Sequence, residues 1–331
     1  MNNNQFVLVS YLSRSGSTYL TNFLSSNKNI LVCPEAEILI NLLLESPLDK
    51  IDFTKEKWLY HKLYCDKKFL SWDLNLNHDE IIDLKNNLEI FLFILSKYKT
   101  KTKPDAGYIV FKGESLNNLA SRLTRDLLIT NNIRFIFIVR DGRAIFNSQK
   151  KSYHSLLKLP MEVNPISFSK KWNKYIDNVT SITTARITHY QLVKYEDLIQ
   201  DFNLVINKIL FNLGIQDLKS FSFKSADLLS RIPDNQKHLH TNVQNKPDIS
   251  KIHQWNTLLS RSEIVILQFY MHQKLKSMDY TIIDNISTYY KKKLYITFHS
   301  FIFITKGVYL RARKFLARRI IRFKNKTCTI T

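Results

Sequence analysis

The amino-acid sequence predicts an α/β fold, with a central parallel sheet flanked by helices and a basic helical extension at the C-terminus. Apolar runs rich in β-branched and aromatic residues alternate along the chain with segments of helical periodicity. Such alternation implies right-handed crossovers between parallel strands. The run at 133–139 shows little polar alternation, as expected of a strand that is covered on both faces.

The elements are predicted in order from these patterns. Predicted strands occupy residues 6–12, 30–33, 108–112, 133–139 and 188–194. Predicted helices occupy residues 17–27, 36–45, 79–98, 116–130, 141–151, 166–184 and 197–213. Residues 214–260 are predicted to be irregular. Three histidines lie there without accompanying acids or cysteines, which favours a solvated loop over a metal site: His238, His240 and His253.

Length and composition favour a compact body, which we predict as one domain over residues 1–285 followed by a basic tail over residues 286–331. The chain has 331 residues, with only 6 Gly and 7 Pro, so flexible linkers are not expected. Its 3 cysteines are widely spaced, which indicates a reducing compartment. The first strand begins too early for a signal peptide or an anchor to precede it, and we expect a cytoplasmic protein.

The net charge of +21 is distributed unevenly. No acidic residue follows Asp284, and twelve Lys and Arg lie between Lys291 and Lys326. The remainder carries a moderate positive surplus, which suits an anionic ligand. The body has no nucleic-acid-binding motif, so nucleic acid is not an expected partner.

The turn after the first strand has the composition of a phosphate-binding loop. Backbone N–H groups at a helix start are unpaired and lie at the positive end of the helix dipole. Gly16 allows close approach of the backbone, Ser15, Ser17 and Thr18 offer hydroxyls, and Arg14 adds a forked cation. The Lys-Ser/Thr pair of an ATP-binding P-loop is not in this stretch. An ordinary helix N-cap is the alternative interpretation.

Other strand ends carry residues of the same kind. Arg140 ends the fourth predicted strand, and Ser148 follows eight residues later in a helix that would return it toward the sheet. These two could hold a second phosphate, or Arg140 could simply pair with Asp141. Lys112 and Tyr195 also lie at strand ends. Because ligands bind beyond the carboxyl ends of parallel strands, these residues together predict a nucleotide site.

The first loop and the stretch Val139–Ala144, with a serine eight residues after Arg140, together resemble the PAPS-dependent sulfotransferases. The resemblance implies a P-loop-like sulfotransferase fold, PAPS (3′-phosphoadenylyl sulfate) as co-substrate and PAP as product. It also implies that the first loop binds the 5′-phosphosulfate. Arg140 and Ser148 would bind the 3′-phosphate, which distinguishes PAPS from ATP.

The motifs are most similar to those of tyrosylprotein sulfotransferases. Their catalytic Glu follows the loop Arg by twenty-one residues, which corresponds to Glu35, and their assisting Lys corresponds to Lys112. Three weaker matches are Lys171–Asn173, Tyr195–Leu198, and Lys246–Pro247 followed by Trp255. By this resemblance Tyr195 and Lys246 are cofactor-binding. Unlike those Golgi enzymes, this chain is expected to have neither a membrane anchor nor disulfides, so their acceptor pocket is not carried over.

The catalytic prediction places Glu35 as the general base that accepts the proton of the acceptor hydroxyl. Its alternative role is an acid at a helix start, and Glu37 is the reserve base. Arg14 and Lys112 would stabilise the charge that develops on the departing phosphate, although Lys112 could instead be a surface lysine. Since two cations and backbone donors already meet the transferred group, we expect no metal.

Several alternatives remain open at this stage. The acceptor could be a saccharide, a lipid-linked glycan or a tyrosine, and an envelope saccharide of a bacterium is favoured. A P-loop kinase or other nucleotide transferase is the rival enzyme class. The rival outside the enzymes is a basic membrane- or nucleic-acid-binding protein with a non-catalytic nucleotide site.

The basic tail, residues 287–326, has an amphipathic pattern. Its uncharged run, Leu294–Thr305, is too short to span a bilayer. Beyond it, apolar residues share one helical face, with Arg and Lys predicted opposite: Tyr309, Ala312, Leu316, Ile320 and Phe323. This pattern fits an interfacial helix on anionic lipid, peripheral on the inner face of the membrane. A helix packed on the protein's own body or on a partner fits equally well.

Overall fold

The computed structural model describes residues 4–45, 47, 63–81, 84–153, 157–184, 189–215, 249–283 and 289–327. The chain divides into two compact units. We name them the sheet unit (Met1–Val139 with Asn178–Ser225) and the helical unit (Arg140–Asp177 with Ala226–Thr331). The boundary predicted between residues 285 and 286 lies outside the described residues and stays a prediction.

Within the described residues, the sheet unit contains one sheet of five parallel strands in the order β2-β3-β1-β4-β5. The strands are β1 (Gln5–Tyr11), β2 (Ile30–Val32), β3 (Tyr108–Gly113), β4 (Ile133–Val139) and β5 (Tyr190–Lys194). The predicted parallel sheet is confirmed, with each strand boundary within two residues of its predicted position. Ser10 pairs with Gly113 of β3 and Tyr11 pairs with Ile138 of β4, so their carboxyl ends meet at one edge.

The helices fill the connections between these strands and continue to the C-terminus. In chain order they are α1 (Ser17–Ser25), α2 (Glu37–Glu45), α3 (Lys67–Leu70), α4 (His78–Ile81), α5 (Asn87–Thr102), α6 (Leu116–Ala120), α7 (Arg125–Thr130), α8 (Gly142–Lys151), α9 (Pro165–Thr184), α10 (Tyr195–Gln200), α11 (Phe202–Leu213), α12 (Trp255–Leu258), α13 (Arg261–Ser277) and α14 (Tyr289–Thr327). A short 3₁₀ helix (Ile249–Ile252) precedes α12.

Three predicted helices are each divided in two, and at two of the breaks a polar side chain gives the reason. Asn86 accepts a hydrogen bond from the backbone N–H of Glu89 and starts α5. Thr124 caps α7 in the same way. Such side chains satisfy backbone donors locally and mark a new helix start, which apolar periodicity alone does not reveal. At the third break Asp201 lies between α10 and α11, and its side chain makes no capping hydrogen bond.

The core of the sheet unit covers the strands. Val7, Val9 and Ile136 are buried against Leu20 of α1 and Leu210 of α11. Every residue of β4 except Arg134 is buried. This burial explains why the run at 133–139 has little alternation.

The helical unit contains α8, α12, α13, α14 and the first part of α9. One face of α14 packs within this unit, with Phe303 against Ile166 and Ile266. Further along, Leu310 packs against Leu157 and Leu159. In the part of the chain that the structure describes, no helix combines the length and apolar character needed to cross a bilayer.

Candidate active site

The turn between β1 and α1 has the backbone conformation of an anion-binding loop. Arg14 and Gly16 both have left-handed backbone angles, with φ of 78° and 91°. Gly16 is the N-cap of α1 and supplies no side chain to the N–H groups of the first turn. These groups point outward from the helix start, where the dipole favours a negative charge.

The hydroxyl of Ser15 gives a second indication of a ligand at this loop. Ser15 is fully buried, and its Oγ has no hydrogen-bond partner among the described residues. A buried hydroxyl without a partner costs free energy, and bound anions commonly satisfy such donors. Ser17 is also buried and opens α1. The loop therefore fits a phosphate or sulfate group.

Lys112 connects this loop to the predicted base. It lies near the end of β3, and its ammonium donates to Thr18 Oγ1 at 2.9 Å. The same Nζ lies 3.0 Å from Oε1 of Glu35, which follows β2. Tyr11, the last residue of β1, donates its hydroxyl to that Oε1 at 2.8 Å. The two residues predicted as catalytic are thus in direct contact, beside the loop.

Opposing effects act on the pKa of the Glu35 carboxyl. Burial raises the pKa of its carboxyl, but the charge of Lys112 and hydrogen bonds from Tyr11 and Lys112 outweigh burial and lower it to about 2. Burial and the charge of Glu35 together raise the pKa of Tyr11 well above its usual value. At neutral pH Glu35 is therefore ionised and Tyr11 remains a neutral donor.

Tyr195 lies on the other side of the loop. It is the first residue of α10, directly after β5, and its ring packs against Gly16. A Cβ on Gly16 would lie 2.2 Å from Cδ2 of that ring. The loop backbone and the aromatic ring therefore approach so closely that only glycine fits. This contact places the predicted Tyr195 at the phosphate loop.

Arg140 and Ser148 belong to the helical unit, where Arg140 precedes α8 and Ser148 lies on that helix. The indole N–H of Trp172 donates to the carbonyl of Arg140 at 3.1 Å. The carboxylate of Asp141 pairs with Arg143, whose guanidinium also stacks on Trp255 at 3.9 Å. Asp141 thus has a partner in Arg143, and whether it also pairs with Arg140 stays open. The 3′-phosphate role of Arg140 and Ser148 stays a prediction.

The remaining predicted residues have different outcomes. Lys246 lies outside the described residues, as do His238 and His240. Glu37 is exposed at the start of α2 and Arg14 is half-buried in the loop. Within the described ranges, no three His, Cys, Asp or Glu side chains come together that could hold a metal ion.

Two contributors to the site were missed from the sequence. Tyr11 was interpreted only as a strand former, although a hydroxyl at the last residue of a strand is a recognisable signal. Lys68 begins α3 together with Lys67, and its ammonium lies 4.0 Å from Glu35 Oε2. It lies in a segment without a motif, and nothing in the sequence links it to Glu35.

Comparisons with known proteins bear on the family and the fold. A family model described as "Sulfotransferase family" matches residues 7–219. The sulfotransferase domain from the Synechococcus PCC 7002 olefin synthase is 17% identical and overlaps 85% of this chain and 96% of its own, with a TM-score of 0.53. The sulfotransferase domain from the curacin biosynthetic pathway is also 17% identical, covers 84% of this chain and 98% of its own, and has a TM-score of 0.50.

No curated protein matches the chain in sequence. The structural likenesses show the fold, a parallel sheet flanked by helices. The family model covers well over half of the 331 residues. On this ground the protein belongs to the sulfotransferase family.

Proposed function

We propose that the protein transfers the sulfuryl group of PAPS to an acceptor hydroxyl. Membership of the family supports sulfotransferase activity, and the contact that carries the residue assignment is the bridge made by Lys112. Its ammonium touches both Thr18, on the phosphate loop, and Glu35, the acid available as a base. A cation in that position can serve a transferred anionic group and the attacking hydroxyl together.

Binding of the co-substrate is assigned to two sets of residues. The first-turn N–H groups of α1 and the hydroxyls of Ser15, Ser17 and Thr18 would hold the 5′-phosphosulfate. Arg14 would add charge there, and the free hydroxyl of buried Ser15 supports this assignment. The remaining contacts follow the family resemblance: the 3′-phosphate to Arg140 and Ser148, with Tyr195, Gly16 and Lys246 completing the cofactor-binding set.

The transfer itself needs a base and a stabilised leaving group. PAPS supplies the sulfuryl group, and its sulfur–oxygen bond to the 5′-phosphate breaks as the bond from sulfur to the acceptor oxygen forms. Glu35 accepts the proton of the acceptor hydroxyl. Lys112 and Arg14 stabilise the negative charge that collects on the departing phosphate oxygen. The products are PAP and the sulfate ester, and no metal is required to balance the reaction.

Glu35 must become more basic before it can act. With a pKa of about 2, the carboxylate bound to Lys112 is a weak acceptor for a hydroxyl proton. An anionic co-substrate on the loop competes for the Lys112 ammonium. When Lys112 moves toward that anion, the burial of Glu35 is no longer offset and its pKa rises. Co-substrate binding would thereby prepare the base.

For the acceptor, we propose a hydroxyl of an envelope or lipid-linked saccharide, with a peptide tyrosine as the alternative. Lys68 adds a positive charge beside Glu35 Oε2, which favours an acceptor that is negatively charged near its reacting hydroxyl. The reaction is proposed to take place in the cytoplasm, on the inner face of the membrane. Transfer to a glycolipid extract but not to an acidic tyrosine peptide would support the saccharide; the reverse result would reject it.

Substitution of Glu35 tests the proposed base. We expect Glu35→Gln to lower the rate of transfer of radiolabelled sulfate from PAPS by about 10²–10⁴-fold, because a general base is lost. Its affinity for PAP should remain, since the loop is intact. Glu37→Gln is the matched control, because Glu37 is exposed on α2, and it should transfer at the wild-type rate. A fully active Glu35→Gln enzyme would reject Glu35 as the base.

A further inference from the structure

Helix α14 has two apolar faces, and one of them is fully used within the helical unit. Ile296, Phe303 and Leu310 are buried and follow one another at the spacing of a helix face. Gly307 lies on the same face, so close to Asn164 that a Cβ would approach its amide nitrogen to 2.5 Å. Lys314 donates to the carbonyl of Met161 at 2.7 Å and continues this side. The helix is thus firmly seated on its own unit.

The opposite face is exposed and also apolar. Phe298, Phe301 and Phe315 are 64%, 69% and 63% exposed. Further exposed apolar residues extend the same face: Ile304, Val308, Tyr309 and Leu316. Single exposed apolar side chains are ordinary, whereas a continuous row of them indicates a binding surface. We name this row, within residues 298–316, the outer face of α14.

Positive charges border the outer face on both sides. At helical spacing, Lys306 and Arg313 lie along one border, and Arg311 and Arg318 lie along the other. All four side chains are exposed. No acidic residue follows Asp284 to neutralise them. An apolar row between two rows of cations is the surface expected of a helix that lies in a bilayer interface.

We propose that the outer face of α14 docks on an anionic lipid surface, with the helix parallel to the membrane. The aromatic and aliphatic side chains would enter the boundary between headgroups and acyl chains, while the flanking Lys and Arg contact acidic headgroups. A second copy of the chain is a poorer partner, because a two-fold contact would bring the same cations face to face. Nucleic acid would engage the cations but would leave the apolar row uncovered.

Vesicle flotation of the full-length protein tests this proposal without reference to transfer activity. We expect the protein to float with vesicles of equal parts phosphatidylglycerol and phosphatidylcholine, and much less with phosphatidylcholine alone. The triple variant Phe301→Ser/Val308→Ser/Phe315→Ser should lose flotation with both. Arg311→Gln/Arg313→Gln/Arg318→Gln should lower partitioning to the anionic vesicles about 100-fold, from roughly 1 kcal/mol for each cation.

Matched controls separate docking from general effects of composition and charge. Leu204→Ser/Phe211→Ser removes two side chains of the sheet unit that are 70% and 83% exposed, and it should float like wild type. Lys170→Gln/Lys174→Gln/Lys208→Gln removes the same charge from exposed positions off α14 and should also float like wild type. Deletion of the tail is unsuitable, because it would uncover Ile166 and Ile266.

Four results would overturn the proposal. The first is wild-type protein that floats with neither kind of vesicle. The second is normal flotation of the serine triple variant, with an unchanged melting temperature. The third is a dimer in solution that this variant converts to monomer while wild-type protein does not bind lipid, since the outer face would then bind a second copy. The fourth is binding of duplex RNA that survives the serine substitutions, again without lipid binding, which would assign the cations to nucleic acid.

Discussion

Glu35 and Lys112 were each predicted from a match to a motif position of tyrosylprotein sulfotransferases. The structure shows that their side chains are in contact. The ammonium of Lys112 lies 3.0 Å from Glu35 Oε1, and Tyr11 donates to the same oxygen. The sequence could suggest that strand ends meet, because parallel strands place their carboxyl ends together. It could not reveal that Tyr11 completes the pair, since the same residue also has the profile of an ordinary strand former.

Removal of Lys112 should weaken the pKa shift of Glu35. In Lys112→Met the burial of Glu35 persists without its main compensating charge, so the pKa should rise from about 2. In wild type, a depressed pKa contributes stability that is complete above about pH 4.5 and is lost as the pH falls toward 2. In the variant this contribution is smaller, so less stability is gained as the pH rises.

Urea unfolding between about pH 3 and pH 7 measures this difference. The stability of Lys112→Met relative to wild type should fall as the pH rises from about 3 through 4.5 and then level off. Lys97→Met is a matched control, because Lys97 pairs with Glu80 at the surface, where solvent screens the interaction. A pH dependence for Lys112→Met that is no larger than that of the control would show that Glu35 is not held by this pair.

Among the elements, strands were predicted more accurately than helices. β1 and β4 are apolar runs buried at nearly every position, so hydrophobicity alone marks their limits. Two helix starts depend on single capping side chains, Asn86 and Thr124, which apolar periodicity does not detect. Tertiary contacts are a further source of error, because they determine which of two faces of a helix is buried.

Helix α14 illustrates that limit. The sequence placed Arg and Lys opposite the apolar face that contains Tyr309 and Leu316. The structure has a second, buried apolar face there, formed around Phe303 and Leu310, and the cations flank the exposed face. From the sequence, Leu294–Thr305 was interpreted only as an uncharged run. The structure shows the helix packed on its own unit, while docking of its outer face on lipid stays a prediction.

The start of α1 should tolerate no side chain at Gly16. Gly16→Ala combines a left-handed backbone with a clash against Tyr195. Gly214→Ala has a similar φ of 78° and, among the described residues, meets only Tyr108 Oη at 3.8 Å. We expect Gly214→Ala to lower the free energy of unfolding by about 1–2 kcal/mol, from backbone strain alone. Gly16→Ala should cost clearly more, as measured by denaturant unfolding.

A double variant isolates the clash. Gly16→Ala/Tyr195→Ala should be less destabilised than the sum of its single variants, because the ring that obstructs the new Cβ is gone. Strict additivity, or equal costs at Gly16 and Gly214, would mean that the ring yields freely and that the loop is not held by Tyr195.

At the scale of the whole molecule, the net positive charge is divided between the C-terminal tail and the rest of the chain. Twelve Lys and Arg of the tail account for more than half of the net charge of +21. The remainder suits an anionic co-substrate at the carboxyl edge of the sheet. Composition predicted both surpluses, because they are sums over the sequence. Composition could not assign either surplus to a surface of the protein. That assignment depends on how α14 packs and on how the ends of β1, β2 and β3 come together.

The proposed co-substrate differs from ATP and ADP by its 3′-phosphate. Calorimetric titration of PAP and ADP into wild type, Arg140→Ala and the exposed control Arg261→Ala tests whether the protein recognises this group. We expect PAP to bind much more tightly than ADP, and Arg140→Ala to weaken PAP binding by about 10–100-fold, through loss of a charged hydrogen bond, while leaving ADP binding unchanged. Arg261→Ala should match wild type. Equal affinity for PAP and ADP, unaffected by Arg140→Ala, would contradict the assignment of PAPS as the co-substrate.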